Sequence, residues 1–368
     1  MKPNEQAIKV TVWFSTYNQA PYVAEALDSI LMQKTSFPFE IVAADDCSTD
    51  GTQAVILDYQ RRYPEKIVTY FTNPNLGGCR KLTNCIDAGL FRGEYLAYLE
   101  GDDYWLGEDR LQTLVDFLET HPEYSRVSHQ RLMIDENGQE KGFDTRPEVL
   151  ERPFFIDNLL RGELYSDFGS VFRNYYKAIG DKYHPLLLAS RNVCDFQDMF
   201  ITQDFGPVYV MARVFGVYRS RSIAGATNYN SITSQAARCR ENIRLARAVE
   251  DFYGGKYDLS PMILYNQKRL LAEAVGTQDA ALLEAVRNDV PPETVRRIAP
   301  ELVYLARRGH REEEVRFLRE NLLPEEKRNL SASTAGYAVR RAWWKLRKYR
   351  PNEKLRGYVS GAKGGSSQ

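Results

Sequence analysis

Apolar, β-prone runs alternate with amphipathic stretches across the first hundred residues, and that alternation leaves this chain few folds to adopt. Residues 8–14, Ile-Lys-Val-Thr-Val-Trp-Phe, are β-branched and aromatic; they end in Ser15, Thr16, Tyr17 and Asn18, and an amphipathic stretch over 22–33 follows. Residues 39–44 run into Asp45-Asp46-Cys47-Ser48-Thr49-Asp50-Gly51-Thr52, and a helix over about 52–63 is stopped by Pro64. A strand over 67–71, a turn over 73–78 and a helix over 80–90 lead to a fourth strand that begins at Tyr95. The order predicts an α/β protein: a mostly parallel, Rossmann-like sheet flanked by helices, with right-handed crossovers and its loops gathered at one edge.

The fourth strand delivers three carboxylates, Glu100, Asp102 and Asp103, within four residues. Alternation along a strand puts Glu100 and Asp102 on one side, at the carboxyl end where open α/β sheets bind ligands. Hard oxygen donors suit Mg²⁺ or Mn²⁺ shared with phosphate oxygens, so the expected ligand is a nucleotide diphosphate. The same acids also suit a loop capping the following helix.

Together these segments resemble the family 2 glycosyltransferases of the GT-A fold, over roughly residues 8–225. The matching motifs are the Thr-Tyr-Asn-type loop at Ser15 to Asn18, the Asp-Asp-x-Ser-x-Asp-Gly-Thr loop at Asp45 to Thr52, the Asn-x-Gly loop at Asn75 to Gly77, and Glu100-Gly101-Asp102-Asp103 in place of Asp-x-Asp-Asp. Glu100 departs from the family's Asp by one methylene. The resemblance implies that Asp46 meets the base edge, Tyr17 covers the ring, and Ser15 and Thr16 offer backbone groups to base or ribose. It also implies that Glu100, Gly101 and Asp102 contact the donor, with Asp102 and Asp103 on the metal. Arg80 and Lys81 follow the Gly77-Gly78 turn and suit either a pyrophosphate or a solvated helix face.

In this family a carboxylate about one hundred residues beyond the metal motif, at the start of a helix, acts as base in an inverting transfer. The corresponding stretch, Cys194-Asp195-Phe196-Gln197-Asp198, maps the base onto Asp195, with Asp198 as the competing candidate; a helix N-cap is the local alternative for Asp195. Two residues after Val217-Tyr218-Arg219, where many relatives carry His, this chain has Arg221. A cation there cannot ligate a metal and would clamp the diphosphate.

Lysine plus arginine and aspartate plus glutamate number 49 each, which gives no support to a nucleic-acid role. Five cysteines without paired spacing point to a reducing compartment, and four scattered histidines exclude a zinc pattern. No apolar run nears the twenty or so residues that span a bilayer. The expectation is a cytoplasmic protein, peripheral at most on the inner face of the plasma membrane. Residues 1–228 read as the transferase domain, with a donor half to about 125 and an acceptor and base half beyond it. Residues 229–330 read as an all-α region, with helices expected over 234–253, 262–275, 279–288, 292–308 and 311–322. Residues 331–368 form a basic, aromatic tail, suited to an anionic membrane surface or to a partly disordered end.

The function expected is transfer of a sugar from a nucleotide-diphospho-sugar, UDP-linked in preference, to a glycan or lipid-linked acceptor of bacterial surface polysaccharide synthesis. A non-catalytic sugar-nucleotide-binding partner and a nucleotidyltransferase are the alternatives; a dinucleotide dehydrogenase is disfavoured because no G-x-G-x-x-G follows the first strand.

Overall fold

The computed structural model describes residues 7–160, 163, 165, 169–220, 233–309 and 311–321. The expected opening units are present as β1 (Val10–Thr16), α1 (Ala20–Leu31), β2 (Phe39–Asp45), α2 (Thr52–Arg62), β3 (Ile67–Phe71), α3 (Gly78–Asp87) and β4 (Tyr95–Glu100). There follow β5 (Tyr104–Trp105), α4 (Arg110–Thr120), β6 (Arg126–Ile134), β7 (Glu140–Phe143) and β8 (Arg152–Phe154). Next come α5 (Ile156–Leu160), β9 (Val171–Arg173), α6 (Tyr176–Ile179), α7 (His184–Leu187), α8 (Asp195–Gln203), β10 (Val208–Arg219) and α9 (Gln235–Phe252).

The described strands form one ten-stranded sheet in the order β3-β2-β1-β4-β9-β6-β10-β5, with β7 added to β6 and β8 to β10. From β3 to β4 every pairing is parallel, as the strand-helix alternation requires. The sheet as a whole is mixed, because the three-residue β9 runs antiparallel to both of its neighbours, β4 and β6, while β6 and β10 keep the direction of β4. A three-residue strand carries no legible hydrophobic period, which is why the sequence does not announce it.

Both faces of the sheet are covered, so its inner strands are apolar at nearly every position. Val10, Val12 and Phe14 of β1 and Ala97 and Leu99 of β4 pack on one side against Val23, Leu27 and Ile30 of α1 and Leu111, Leu114 and Leu118 of α4. Trp13 and Tyr98 point to the other side, into a cluster with Leu82 of α3 and Phe200 of α8. Ala246 and Val249 of α9 belong to that same cluster.

The chain divides into two compact units, residues 1–263 and 264–368. The first runs past the boundary at 228 expected from sequence, because the apolar face of α9 is part of the core beneath the sheet. Beyond it, α10 (Ser260–Gly276) enters the second unit, which continues with α11 (Ala280–Asp289), α12 (Pro292–Arg308) and α13 (Glu312–Asn321). Leu270, Leu283, Val286, Val295, Ile298 and Leu318 are among its buried side chains. The basic tail lies outside the described residues, and no described helix is long and apolar enough to cross a membrane.

Candidate active site

The register of β1 builds the site. Ser15 pairs with Ala44 of β2 on one side and with Glu100 of β4 on the other, so the loops after three parallel strands open at one point. A cavity of about 370 Å³ sits there, lined by Ser15, Thr16, Tyr17 and Gln19 after β1, Asp46 after β2, and Glu100 after β4; the first turn of α3 and the segment before α8 close it. Tyr17 is 38% exposed at its edge.

The loops are cross-braced by side chains. Asp45 accepts hydrogen bonds from the Thr16 hydroxyl (2.8 Å), the Ser48 amide (2.9 Å) and the Gln53 amide (2.7 Å). Asn18 donates its backbone N–H to the Ser48 hydroxyl and accepts from the Thr49 amide. Gly101 is required at its position: a Cβ there would lie 2.7 Å from both Gln19 Oε1 and Thr16 Cγ2. The Thr16 and Gln19 side chains of the loop after β1 therefore pack directly on the backbone of the acidic turn after β4.

Asp46 lies on the pocket wall, but its carboxylate is engaged by the protein. It accepts from the Thr72 hydroxyl (2.7 Å) and from the backbone N–H groups of Leu76 (2.8 Å) and Gly77 (2.7 Å), so it holds the Asn75–Gly77 turn. Arg80 is exposed and does not line the cavity, because the helix turns it outward; the next residue, Lys81, is buried on the cavity wall. Its ammonium donates to the carbonyls of Thr16 (3.0 Å) and Ala44 (3.1 Å), and burial pushes its pKa down despite the nearby Asp46 and Asp45 carboxylates.

The acidic turn is buried and short of positive charge. Burial, then the Asp102, Asp103 and Asp195 carboxylates, raise Glu100 well above the usual range. Asp102 is raised by burial, against a hydrogen bond with Gln19. Asp103, expected to bind metal beside Asp102, is instead bonded by Arg131 Nη1 (2.9 Å) and the Arg219 N–H (2.9 Å), and burial pushes it up to about 7. Arg219 also donates to the Asp102 carbonyl (2.5 Å). These two arginines come from the later halves of β6 and β10, which run in the same direction as β4 and so reach the same edge of the sheet.

Among the described residues no group of three or more His, Cys, Asp or Glu side chains is placed to enclose a metal ion. The donor set still fits one of the kind expected. All its atoms are hard oxygens, Glu100 has three carboxylate neighbours, and Mg²⁺ or Mn²⁺ needs only one or two protein carboxylates when phosphate and water complete the shell.

Asp195 opens α8, where its Oδ1 accepts the Phe196 N–H (2.9 Å), and burial raises its pKa. Its charge contributes to raising Glu100, although Asp195 itself does not line the cavity. Asp198, the competing candidate, is fully buried one turn later: it forms an ion pair with Arg126 and accepts from Tyr175 (2.6 Å) and Tyr176 (2.7 Å). A carboxylate so enclosed has no access to a substrate hydroxyl, so this candidate is corrected to an anchor of α8. Arg221 lies outside the described residues.

Arg191 and Asn192 were not legible from sequence. They sit over the first turn of α3, with Arg191 bonded to Asn75 Oδ1 (2.7 Å) and the Arg191 carbonyl accepting the Cys79 N–H (3.0 Å). Gly77 makes this approach possible, since a Cβ there would lie 2.3 Å from Arg191 Cγ. More than one hundred residues separate the two segments, and no local motif marks their meeting.

Comparison with known proteins matches residues 11–182 to the family model for glycosyl transferase family 2. Rv1520, an uncharacterized protein of Mycobacterium tuberculosis (strain ATCC 25618 / H37Rv), is 37% identical over 158 residues, 43% of this chain and 45% of that protein; the chain thus spans under half the length of this relative. The uncharacterized glycosyltransferase alr2836 of Nostoc sp. is 28% identical over 279 residues, 71% of this chain and 82% of its own. Among solved structures, Staphylococcus aureus TarS 1–349 in complex with UDP-GlcNAc superposes with a TM-score of 0.54 at 16% identity, covering 85% of this chain and 91% of that one, a likeness of fold.

Proposed function

We propose, from the match of residues 11–182 to glycosyl transferase family 2, that the chain is an inverting transferase of that family, moving a sugar from a UDP-sugar to a hydroxyl of a glycan or lipid-linked acceptor in bacterial surface polysaccharide synthesis. One observation carries the reading: the β1 register brings Ser15, Thr16, Tyr17, Asp46 and Glu100 to one cavity, within electrostatic reach of Asp195. The relative TarS is a poly(ribitol-phosphate) β-N-acetylglucosaminyltransferase seen with UDP-GlcNAc, which supports a UDP-sugar and a polymer hydroxyl as the substrate classes.

In this reading Tyr17 covers the base and Ser15 and Thr16 border the ribose. Asp46 acts indirectly, by fixing the Asn75–Gly77 turn that shapes the pocket. Arg191 and Lys81 supply positive charge toward the diphosphate. Glu100 and Asp102 would hold Mn²⁺ or Mg²⁺, whose charge stabilises a departing nucleoside diphosphate. Asp103 keeps the turn in place through Arg131 and Arg219. Asp195 takes the proton from the acceptor hydroxyl as its oxygen attacks the anomeric carbon; attack opposite the leaving group inverts the configuration.

Calorimetric titration of UDP with and without Mn²⁺ tests the assignment. The wild type should bind more tightly with the metal, and Asp102→Ala should lose that gain while its unfolding profile is kept. Equal metal-dependent affinity in the variant would overturn the assignment, and a product of retained anomeric configuration by NMR would overturn the mechanism.

A further inference from the structure

The strand register sets a hairpin beside the acidic turn. β10 occupies one edge of β6 along its whole length, Arg126 to Ile134, so β9 and β7 share the other edge: β9 pairs with Arg126 and Val127, β7 with Leu132 to Ile134. β7 therefore continues, past the end of β9, the row that lies between β4 and β6. Phe172 of β9 joins Leu96 to Arg126, which sets Glu100 level with Gln130. Phe143 of β7 stands opposite Leu132, two residues further on and one strand spacing across, on the order of 10 Å from Glu100. The Arg131 bonds to Asp103 (2.9 Å) and Asp144 (2.7 Å) tie this row to the acidic turn.

The faces agree as well. Arg126 reaches Asp198 on α8, and Leu132, an even number of residues on, shares that face with the Phe143 opposite it. Glu100 follows Leu96 and Tyr98, which pack in the cluster of Phe200 of α8, so it faces the same way. Asp195 opens α8, and its carboxylate is within electrostatic reach of both Glu100 and Arg131. Phe143 is 54% exposed on this face. It is a rigid aromatic surface, held by a paired strand and open to whatever approaches the acidic turn.

Charge narrows what that surface can take. Residues 131–148 hold five carboxylates against three cations, and two of the cations, Arg131 and Lys141, are already paired. Such a wall repels a phosphate-bearing polymer. A neutral sugar ring suits it, because its apolar C–H face packs on an aromatic ring and its hydroxyls donate to carboxylates. We propose that the β6–β7 hairpin is the acceptor wall and that Phe143 is a specificity-determining residue, stacking on the ring of a neutral acceptor saccharide. The proposal deepens the transferase reading above and rests on it, since that reading makes Glu100 and Asp195 the reacting edge.

Saturation-transfer NMR on the full chain with UDP and Mn²⁺ tests this, with cellobiose, chitobiose and ribitol 5-phosphate as probes at millimolar concentration. Transfer is expected to the ring C–H protons of at least one disaccharide, and not to ribitol 5-phosphate. Phe143→Ala should weaken that disaccharide about fivefold or more, the effect of losing one aromatic contact, while Phe143→Trp restores it and UDP affinity by calorimetry stays at the wild-type value. No transfer to either disaccharide, equal affinity in Phe143→Ala, or a preference for ribitol 5-phosphate would each overturn the proposal. The donor reading is checked separately: if UDP fails to bind the wild type, that reading falls, and the same comparison run without nucleotide still decides whether Phe143 holds a sugar.

Discussion

Asp195 and Asp198 sit one helical turn apart, yet their surroundings differ, and the proposed function gives them different tasks. Asp195 is partly buried at the helix start; Asp198 is locked between Arg126, Tyr175 and Tyr176. Asp195→Asn should therefore lower turnover by about 10²–10⁴-fold and leave UDP affinity nearly unchanged, the signature of a lost general base. Asp198→Asn should act on stability. Breaking one side of a buried ion pair costs about 3–5 kcal/mol, so chemical denaturation should show a fall of that order, while the folded fraction retains most of its turnover. A dead but fully stable Asp198 variant would reverse the two assignments. Arg191 makes a third case: its Ala variant should weaken UDP binding by about 1.5–3 kcal/mol in calorimetry, the usual worth of a hydrogen bond to a charged group, without changing uridine binding.

At the scale of elements, the site depends on a place where backbone approaches backbone too closely for a side chain. Gly77 has φ +87° and faces the Arg191 carbonyl, 2.4 Å from where a Cβ would stand. Gly77→Ala therefore combines left-handed strain with a backbone clash, and it should push the 190–193 segment off the first turn of α3. The expected outcome is a loss of at least 1 kcal/mol in unfolding free energy together with weaker UDP binding, measured by denaturant titration and calorimetry. Gly77→Ala binding UDP as wild type does would mean that the 190–193 segment is not part of the pocket. The Asp46 carboxylate works on the same turn from beneath, through the Leu76 and Gly77 N–H groups, which is how a residue expected to read the base comes to shape the loop beside it.

The whole molecule sets where the transferase unit ends. Helix α9 buries Ala246 and Val249 in the cluster that also holds Trp13, Tyr98 and Phe200, and Glu241 on the same helix accepts from Ser190, next to Arg191. A chain ending near residue 263 should fold cooperatively and keep UDP binding, whereas one ending at 228 exposes that apolar face and should aggregate or melt well below the full chain. Thermal unfolding with calorimetry of the two truncations checks this. A stable, UDP-binding product ending at 228 would make α9 dispensable.

Local chemistry made the first half of this protein legible. Residues 8–14 and 39–44, the strand at Ile67–Phe71 and the run from Tyr95 carry mostly apolar, β-branched or aromatic sequence, as strands of a covered sheet require, and the helices between them carry period and stop signals; each feature is written within about a dozen residues. The helices from Gln235 onward were legible for the same reason. Tertiary structure alone decided the rest. The antiparallel β9 rests on three residues; Arg131 and Arg219 meet Asp103 across more than one hundred residues in the second case; Arg191 meets Gly77 over a similar separation. A carboxylate in sequence is the same carboxylate whether it faces substrate, a metal or a buried arginine. Burial and partner choice, which give Asp195, Asp102 and Asp198 their different characters, come from which distant segments the fold stacks against each of them.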